Sequence, residues 1–211
     1  AEYCRALAEA GAQVIATDIR ESQTDFRFEK MDVTQLQSIE KVYEKLNKEG
    51  ISVDILVNNA AIDPKVTSGP GIKSSSRLEN FSVEDWDFQI RVGLTGAFLC
   101  SRVFGSAMAQ RGSGSIVNIA SDLSVIAPDQ RLYRQPNLQE NEQPVKPVTY
   151  SVIKTGLIGL TRYLATYWAQ NNVRVNALSP GGVFNQQNEG FVKRVSELIP
   201  MGRMARREEY R

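Results

Sequence analysis

Tyr150 and Lys154 stand four positions apart in Tyr150-Ser-Val-Ile-Lys154. On a helix this spacing puts both side chains on one face, one turn apart. An ammonium beside a phenol favours the phenolate, and a tyrosine so placed can act as a general acid or base near working pH. The spacing alone is a weak signal, because an ordinary exposed helical pair has it too. The rest of the inventory sharpens it. The chain has no histidine, so histidine acid–base and nucleophile chemistry is excluded, and proton transfer falls to Tyr, Lys, Asp or Glu. The two cysteines, Cys4 and Cys100, are far apart and lack metal-ligand spacing, so no metal site is expected.

The elements around this pair alternate short apolar runs with longer amphipathic stretches. That pattern predicts βαβ units, and hence an α/β fold with a doubly wound parallel sheet. Residues 1–10 read as a helix closed by Gly11, and Gln13–Thr17 as a strand. Thr34 is expected to cap a helix running to Lys48 and stopped by Gly50. Asp54–Val57 reads as a buried strand, residues 62–81 as a Ser/Gly/Pro-rich loop, and 82–110 as a long helix opened by a capping box at Ser82 and Asp85. Ser115–Ile119 is a strand, 148–170 a helix and Val173–Leu178 a strand, with a last helix beginning near Glu189. Three strands end in small or polar residues: Asn58-Asn59-Ala60-Ala61, Ser121 and Ser179-Pro180-Gly181-Gly182. Core packing explains the strands but not these tips, which lie at the edge where open α/β sheets bind ligands.

Twenty-five basic residues against 24 acidic ones leave a net charge of +1, which gives no basic face for a nucleic acid. Arg203, Arg206 and Arg207, diluted by Glu208 and Glu209, read as a solvated helix face. With 42% hydrophobic residues the chain is long enough for one core, and residues 1–211 are read as a single domain. No apolar run reaches about 18 residues and no leader pattern opens the chain, so a soluble cytoplasmic protein without a membrane partner is expected.

The strand tips and the Tyr150/Lys154 pair together resemble the short-chain dehydrogenase/reductase family. Asn58-Asn59-Ala60-Ala61 is similar to its Asn-Asn-Ala-Gly motif. Ser121 with Tyr150-x-x-x-Lys154 resembles its catalytic group, and Pro180-Gly181 its turn beside the nicotinamide. The resemblance implies a Rossmann-type oxidoreductase moving a hydride between a nicotinamide cofactor and a secondary alcohol or ketone. Tyr150 would exchange the proton, Ser121 would hydrogen-bond the reacting oxygen, and Lys154 would act on Tyr150 and hold the nicotinamide ribose. Asn58, Ala60 and Ala61 would line the cofactor, with Val183 near the carboxamide. Asp18, at a strand end, would take the adenosine ribose hydroxyls and repel a 2′-phosphate, favouring NAD, although Arg20 could instead pair with that phosphate and admit NADP. Asp32-Val33 resembles the adenine-pocket pair, with turn chemistry an equal reading for Asp32.

Two departures stand out. The family's helix asparagine before Leu-Thr-Gly is here Gly93, which supplies no side-chain amide but permits a local helix distortion. The chain also lacks the family's opening strand and glycine-rich phosphate loop and stops before its last strand, so it reads as an internal fragment. The lost strand would lie between the strands at 13–17 and 54–57, leaving two buried edges without ladder partners. Between Ser121 and Tyr150, residues 122–147 form an insertion holding Arg131 and Arg134, which suit a carboxylate or phosphate on the substrate. A sugar or nucleotide-sugar is one substrate reading. A non-catalytic cofactor-binding member and an epimerase or dehydratase using Asp122 are the alternatives. Gly156, Gly159 and the apolar residues Leu157, Leu160, Tyr163, Leu164 and Trp168 predict a homodimer or homotetramer through the helices at 82–110 and 148–170.

Overall fold

A computed structural model describes residues 2–21, 24–62 and 76–211. Most of the Ser/Gly/Pro-rich loop expected at 62–81 lies outside the described residues. The chain divides into two compact units, Val53–Pro180 and a second one made of Ala1–Ser52 with Gly181–Arg211. Among the described residues the strand pairing is parallel.

In the unit made from the two chain ends, helix α1 (Glu2–Glu9) is followed by Gly11 at φ +89°, the left-handed conformation that suits a helix-terminating glycine. Strands β1 (Ile15–Asp18) and β2 (Arg27–Lys30) pair in register from Ile15 opposite Arg27 to Asp18 opposite Lys30. Helix α2 (Leu36–Lys48) turns Ile39, Val42 and Leu46 inward at helical spacing. Its N-cap is Gln35, not Thr34. Asp32 explains the difference, since its Oδ1 accepts both the Thr34 N–H at 2.9 Å and the Thr34 hydroxyl at 2.7 Å, which ties the threonine into the turn before the helix. Helix α5 (Glu189–Leu198) begins at an Asn188 cap. Arg203 and Arg206 precede a short 3₁₀ turn, Arg207–Tyr210, and Arg203 pairs with Glu209 at 2.7 Å, so the expected basic helix face is instead an ion-paired loop.

In the unit Val53–Pro180, the sheet order is β3 (Ile55–Asn58), β4 (Gly114–Ile119), β5 (Val173–Leu178). Among the described residues β1 pairs only with β2 and β3 only with β4, so each has one edge without a ladder. The edge position also corrects the reading of β3 as buried: Ile55 is 44% exposed. A 29-residue helix, α3 (Val83–Arg111), starts where the Ser82 hydroxyl accepts the Asp85 N–H at 3.0 Å, as the capping pattern predicts. By length and composition it could cross a membrane, but more than half of its most apolar stretch is buried inside the unit, as in a core helix. Two π-helical stretches interrupt it, Arg91–Thr95 and Ser101–Gly105. Each carries a glycine against which another segment packs. A Cβ on Gly93 would lie 2.7 Å from Ile153 Cγ2, and one on Gly105 would lie 2.5 Å from the Trp168 ring. Helix α4 (Val148–Tyr167) supplies Ile153, and its buried stripe Thr149, Ile153, Leu157, Thr161, Leu164 faces inward. Met108, Ile116, Leu164, Trp168, Val173 and Val175 form the main core cluster.

Candidate active site

The site is built where α4 runs back along β4. Asn118 Nδ2, in the strand, donates to Thr161 Oγ1 at 2.8 Å. One position on, the Ile119 carbonyl accepts from Lys154 Nζ at 2.7 Å. Just past the strand, Ser121 Oγ accepts from the Tyr150 hydroxyl at 3.3 Å. Strand order 118, 119, 121 thus meets helix order 161, 154, 150. The last bond is long for O–H···O, as catalytic contacts often are before substrate arrives. Ser121 is 4% exposed and Lys154 7%. The residues expected at the centre of the chemistry, Ser121, Tyr150 and Lys154, are therefore brought together.

Ser121 is held from its other side. Its hydroxyl donates to Asp122 Oδ1 at 2.8 Å and accepts the Leu123 N–H at 3.3 Å, while the Asp122 N–H bonds the Pro180 carbonyl at 3.0 Å. Beneath the tips runs a polar ladder that the sequence reading missed. Asn58 and Asn118 are in-register partners on β3 and β4, and Asn58 Nδ2 donates to Asn118 Oδ1 at 2.8 Å and to Ser101 Oγ at 3.1 Å. Asn118 and Ser101 are fully buried. Thr149, next to Tyr150, donates to Gln89 Oε1 at 2.5 Å inside the core. A further residue lies at the tyrosine itself: Lys146 Nζ is 3.7 Å from the Tyr150 ring centroid, closer than Lys154 Nζ at 5.7 Å. Its only sequence signal is a basic residue just before the helix that presents Tyr150.

Burial pushes the Cys100 thiol up to about 12, so it is no nucleophile at neutral pH. The Gly93 backbone sits in the first π stretch, as its freedom allows, and Ile153 occupies the space where a side chain at 93 would go. In the insertion both arginines are engaged by nearby carboxylates: Arg131 with Asp129 at 2.6 Å and Arg134 with Glu140 at 2.7 Å. Both pairs are exposed and weak, so a substrate anion would have to displace a carboxylate at either arginine.

The remaining expected residues divide between the units. Asn58, Ala60, Ala61 and Pro180 belong with Ser121, and the tip Asn59, Ala60, Ala61 is exposed. Asp18, Asp32, Val33, Gly181 and Val183 belong to the other unit. There Asp18 is exposed at the end of β1 and its Oδ1 accepts the Arg20 N–H at 2.9 Å. Asp32 makes the turn contacts given above, and Val183 bridges Ala205. A nicotinamide dinucleotide offers ribose diols and flat rings. In the unit Val53–Pro180 the buried Lys154 ammonium and the small-residue strand tip suit a ribose and a flat ring, and in the other unit the exposed Asp18 carboxylate by itself suits a ribose diol.

Comparison with known proteins agrees. The short chain dehydrogenase family model matches residues 1–133, and the enoyl-(acyl carrier protein) reductase model of the same kind matches 139–211. The NAD-dependent glycerol dehydrogenase of Listeria innocua is 31% identical over 96% of this chain and 75% of its own length. The 3-oxoacyl-(acyl-carrier-protein) reductase of Thermotoga maritima is 31% identical over 96% of this chain and 78% of its own. A short chain dehydrogenase from Leptospira borgpetersenii, solved with bound NAD+, superposes with a TM-score of 0.83 at 28% identity, covering 97% of this chain and 75% of that one. The chain belongs to the short-chain dehydrogenase family. Its fold is the Rossmann-type α/β fold, and its class of chemistry is NAD(P)-dependent oxidoreduction between an alcohol and a carbonyl.

Proposed function

We propose that the chain interconverts a secondary alcohol and a ketone, with Tyr150 as the group that exchanges the proton. The observation that carries this reading is the Tyr150 hydroxyl on Ser121 Oγ at 3.3 Å, with Lys154 buried one turn further along the same helix. The bound nicotinamide supplies or accepts the hydride. Ser121 orients the reacting oxygen through its hydroxyl. Asp122 fixes that hydroxyl, and Lys154 adds positive charge that favours the tyrosinate and serves the nicotinamide ribose. Asn58, Ala60, Ala61, Pro180, Gly181 and Val183 are assigned to the cofactor's nicotinamide half, and Asp18, Asp32 and Val33 to its adenosine half.

NAD is the preferred cofactor on this reading, because the Asp18 carboxylate suits two ribose hydroxyls and repels a 2′-phosphate. NADP is the form that Arg20 would favour. A polyol or sugar alcohol is the substrate class we favour, and the glycerol dehydrogenase supports it. The acyl-carrier-protein reductase, equally similar, shows that identity at this level does not select the substrate. An epimerase or dehydratase role for Asp122 is disfavoured, since its Oδ1 already serves Ser121 and the Leu123 N–H. A purely binding role leaves the Ser121–Tyr150–Lys154 arrangement without purpose.

A homodimer or homotetramer in the cytoplasm completes the proposal. The inward residues Leu157, Leu164 and Trp168 are spent on the unit's own core, and Gly156 is needed there too, because a Cβ on it would lie 2.8 Å from Leu94. Among the large apolar residues that α3 and α4 leave exposed are Phe88, Phe98, Tyr163 and Tyr167, a set suited to a second copy.

The test is Tyr150→Phe. Turnover of NADH with a panel of ketones should fall by about 10²–10⁴-fold, the usual worth of a positioned acid or base. NADH binding, followed by its fluorescence, should stay within a few-fold. Near-normal turnover in this variant would remove Tyr150 from the mechanism.

A further inference from the structure

The strap that leads into α4 ends on a lysine placed against the ring of Tyr150. Lys146 Nζ stands 3.7 Å from the ring centroid, well inside the range of about 6 Å over which a cation is drawn to an aromatic face. Lys154, at 5.7 Å, donates to the Ile119 carbonyl. The root of Lys146 is anchored on several sides. Its N–H bonds Gln130 Oε1 at 2.8 Å, and Pro147 behind it fixes the backbone φ at −58°. Pro144 is fully buried, and the Val145 N–H reaches Ser76 Oγ at 3.3 Å. Gln143, also buried, ties the strap to the rest of the insertion through Gln135 and Leu138.

Among the described residues, the groups that face Tyr150 include two ammoniums, the Ser121 hydroxyl and, behind that hydroxyl, the Asp122 carboxylate. A cation on the ring face interacts more strongly with a phenolate than with a phenol, because the phenolate ring carries net negative charge. The carboxylate acts in the opposite sense, through the Ser121 hydroxyl that stands between it and the phenol.

We propose that Lys146 is a positioning residue of the proton-transfer site: seated on the ring of Tyr150 by the anchored strap, its ammonium favours the tyrosinate and works beside Lys154. This rests on the reading of Tyr150 given above. Lys146 acts through the tyrosine.

Tyr150 can be titrated without any substrate. Tyrosinate absorbs in the near ultraviolet where tyrosine does not, and subtracting the Tyr150→Phe protein isolates one phenol among seven. In the full chain, Lys146→Met and Lys146→Gln should move that midpoint upward by about 0.5–1 pH unit, the size expected of one cation–π contact. Lys146→Arg should restore it, since a guanidinium also stacks on an aromatic face. NADH affinity should be unchanged in all three. A midpoint that stays put in both neutral variants overturns the proposal. So does an unmoved midpoint with weakened binding of inorganic phosphate, which would make Lys146 an anion contact. If Tyr150→Phe keeps its turnover, the functional reading falls instead. If it is inactive while the midpoint ignores Lys146, only the present inference fails.

Discussion

The two units solve the problem of placing polar groups among strands in different ways. In Val53–Pro180 the polar ladder beneath the strand tips is neutral and largely buried, with the Lys154 ammonium the buried charge above it. Asn58, Ser101, Asn118 and Thr161 satisfy one another, and Thr161 passes its own hydrogen to the Leu157 carbonyl at 2.7 Å. In the other unit the strand polar groups are charged and half-open. Arg27 bridges Glu29 and Glu49, and Lys45 reaches Glu29 from α2 at 2.8 Å. Neutral groups cost less to desolvate than ions but have no solvent to fall back on. The first arrangement can therefore hold the atoms under Ser121 in one geometry, while the second contributes little energy and tolerates change.

The sharpest break of this contrast is Asn118→Ala. It removes the acceptor of Asn58 and the donor to Thr161 at a fully buried position, and it leaves a cavity. An orphaned buried polar group costs about 1–3 kcal/mol, so a loss of about 2–4 kcal/mol is expected for the pair together with the cavity. Urea denaturation should show a lower midpoint with an unchanged slope. A loss under about 0.5 kcal/mol, the range of ordinary surface substitutions, would show that the ladder is replaceable and the contrast false.

Gly93→Ala tests the same region from the helix side, where two effects oppose. Alanine in place of glycine is worth about 1 kcal/mol to a helix. Against that, its Cβ would fall 2.7 Å from Ile153 Cγ2, an atom fixed at a branched, buried side chain that cannot swing aside. Overpacking of this kind costs about 1–3 kcal/mol and outweighs the helix gain. The variant should be destabilised by about 1 kcal/mol in the wild-type background. In the Ile153→Ala background it should stabilise, giving a coupling energy readable from a double-mutant cycle. Additive effects would mean that Gly93 is not held by Ile153.

Those residues also mark where sequence reading succeeded and where it ran out. Strand β5, the start of α5 and the Ser82 cap were legible because alternation, a helix start and a cap signature are local patterns. Ser121, Tyr150 and Lys154 were legible as a set because their types and order resemble a known motif. β2 was not anticipated, since Arg27-Phe-Glu-Lys30 carries one apolar residue and is held by its ladder to β1 and by charge pairs. Asn118 reads as an incidental polar residue in a strand until its partner, 60 positions away, is beside it. Lys146 reads as loop charge until the strap returns it to the tyrosine. Both are long-range facts that no local window contains. The arginines of the insertion differ, because their pairing with carboxylates two and six positions away is local and was passed over in favour of a substrate role.

The smallest expected effect lies in the charged unit. Hydrogen bonds from Lys45, and next from Arg27, hold the Glu29 carboxyl below its ordinary range. The Glu29 side chain is only 10% exposed, which favours a strong pair, but Lys45 is 54% exposed and Arg27 31%, so water and salt reach the positive side. Screening decides the balance, and the carboxylate should be worth no more than about 1 kcal/mol. Because the folded carboxyl titrates lower than the unfolded one, its contribution is complete above the unfolded value. It is lost as the pH falls through the folded value. Glu29→Gln should therefore lower stability slightly at neutral pH and low salt. The gap to wild type should narrow in about 1 M salt and close as the solution is acidified through the carboxylate range. A deficit as large as that of Asn118→Ala, or one indifferent to salt and pH, would place Glu29 in a buried network of the same kind and erase the difference between the two units.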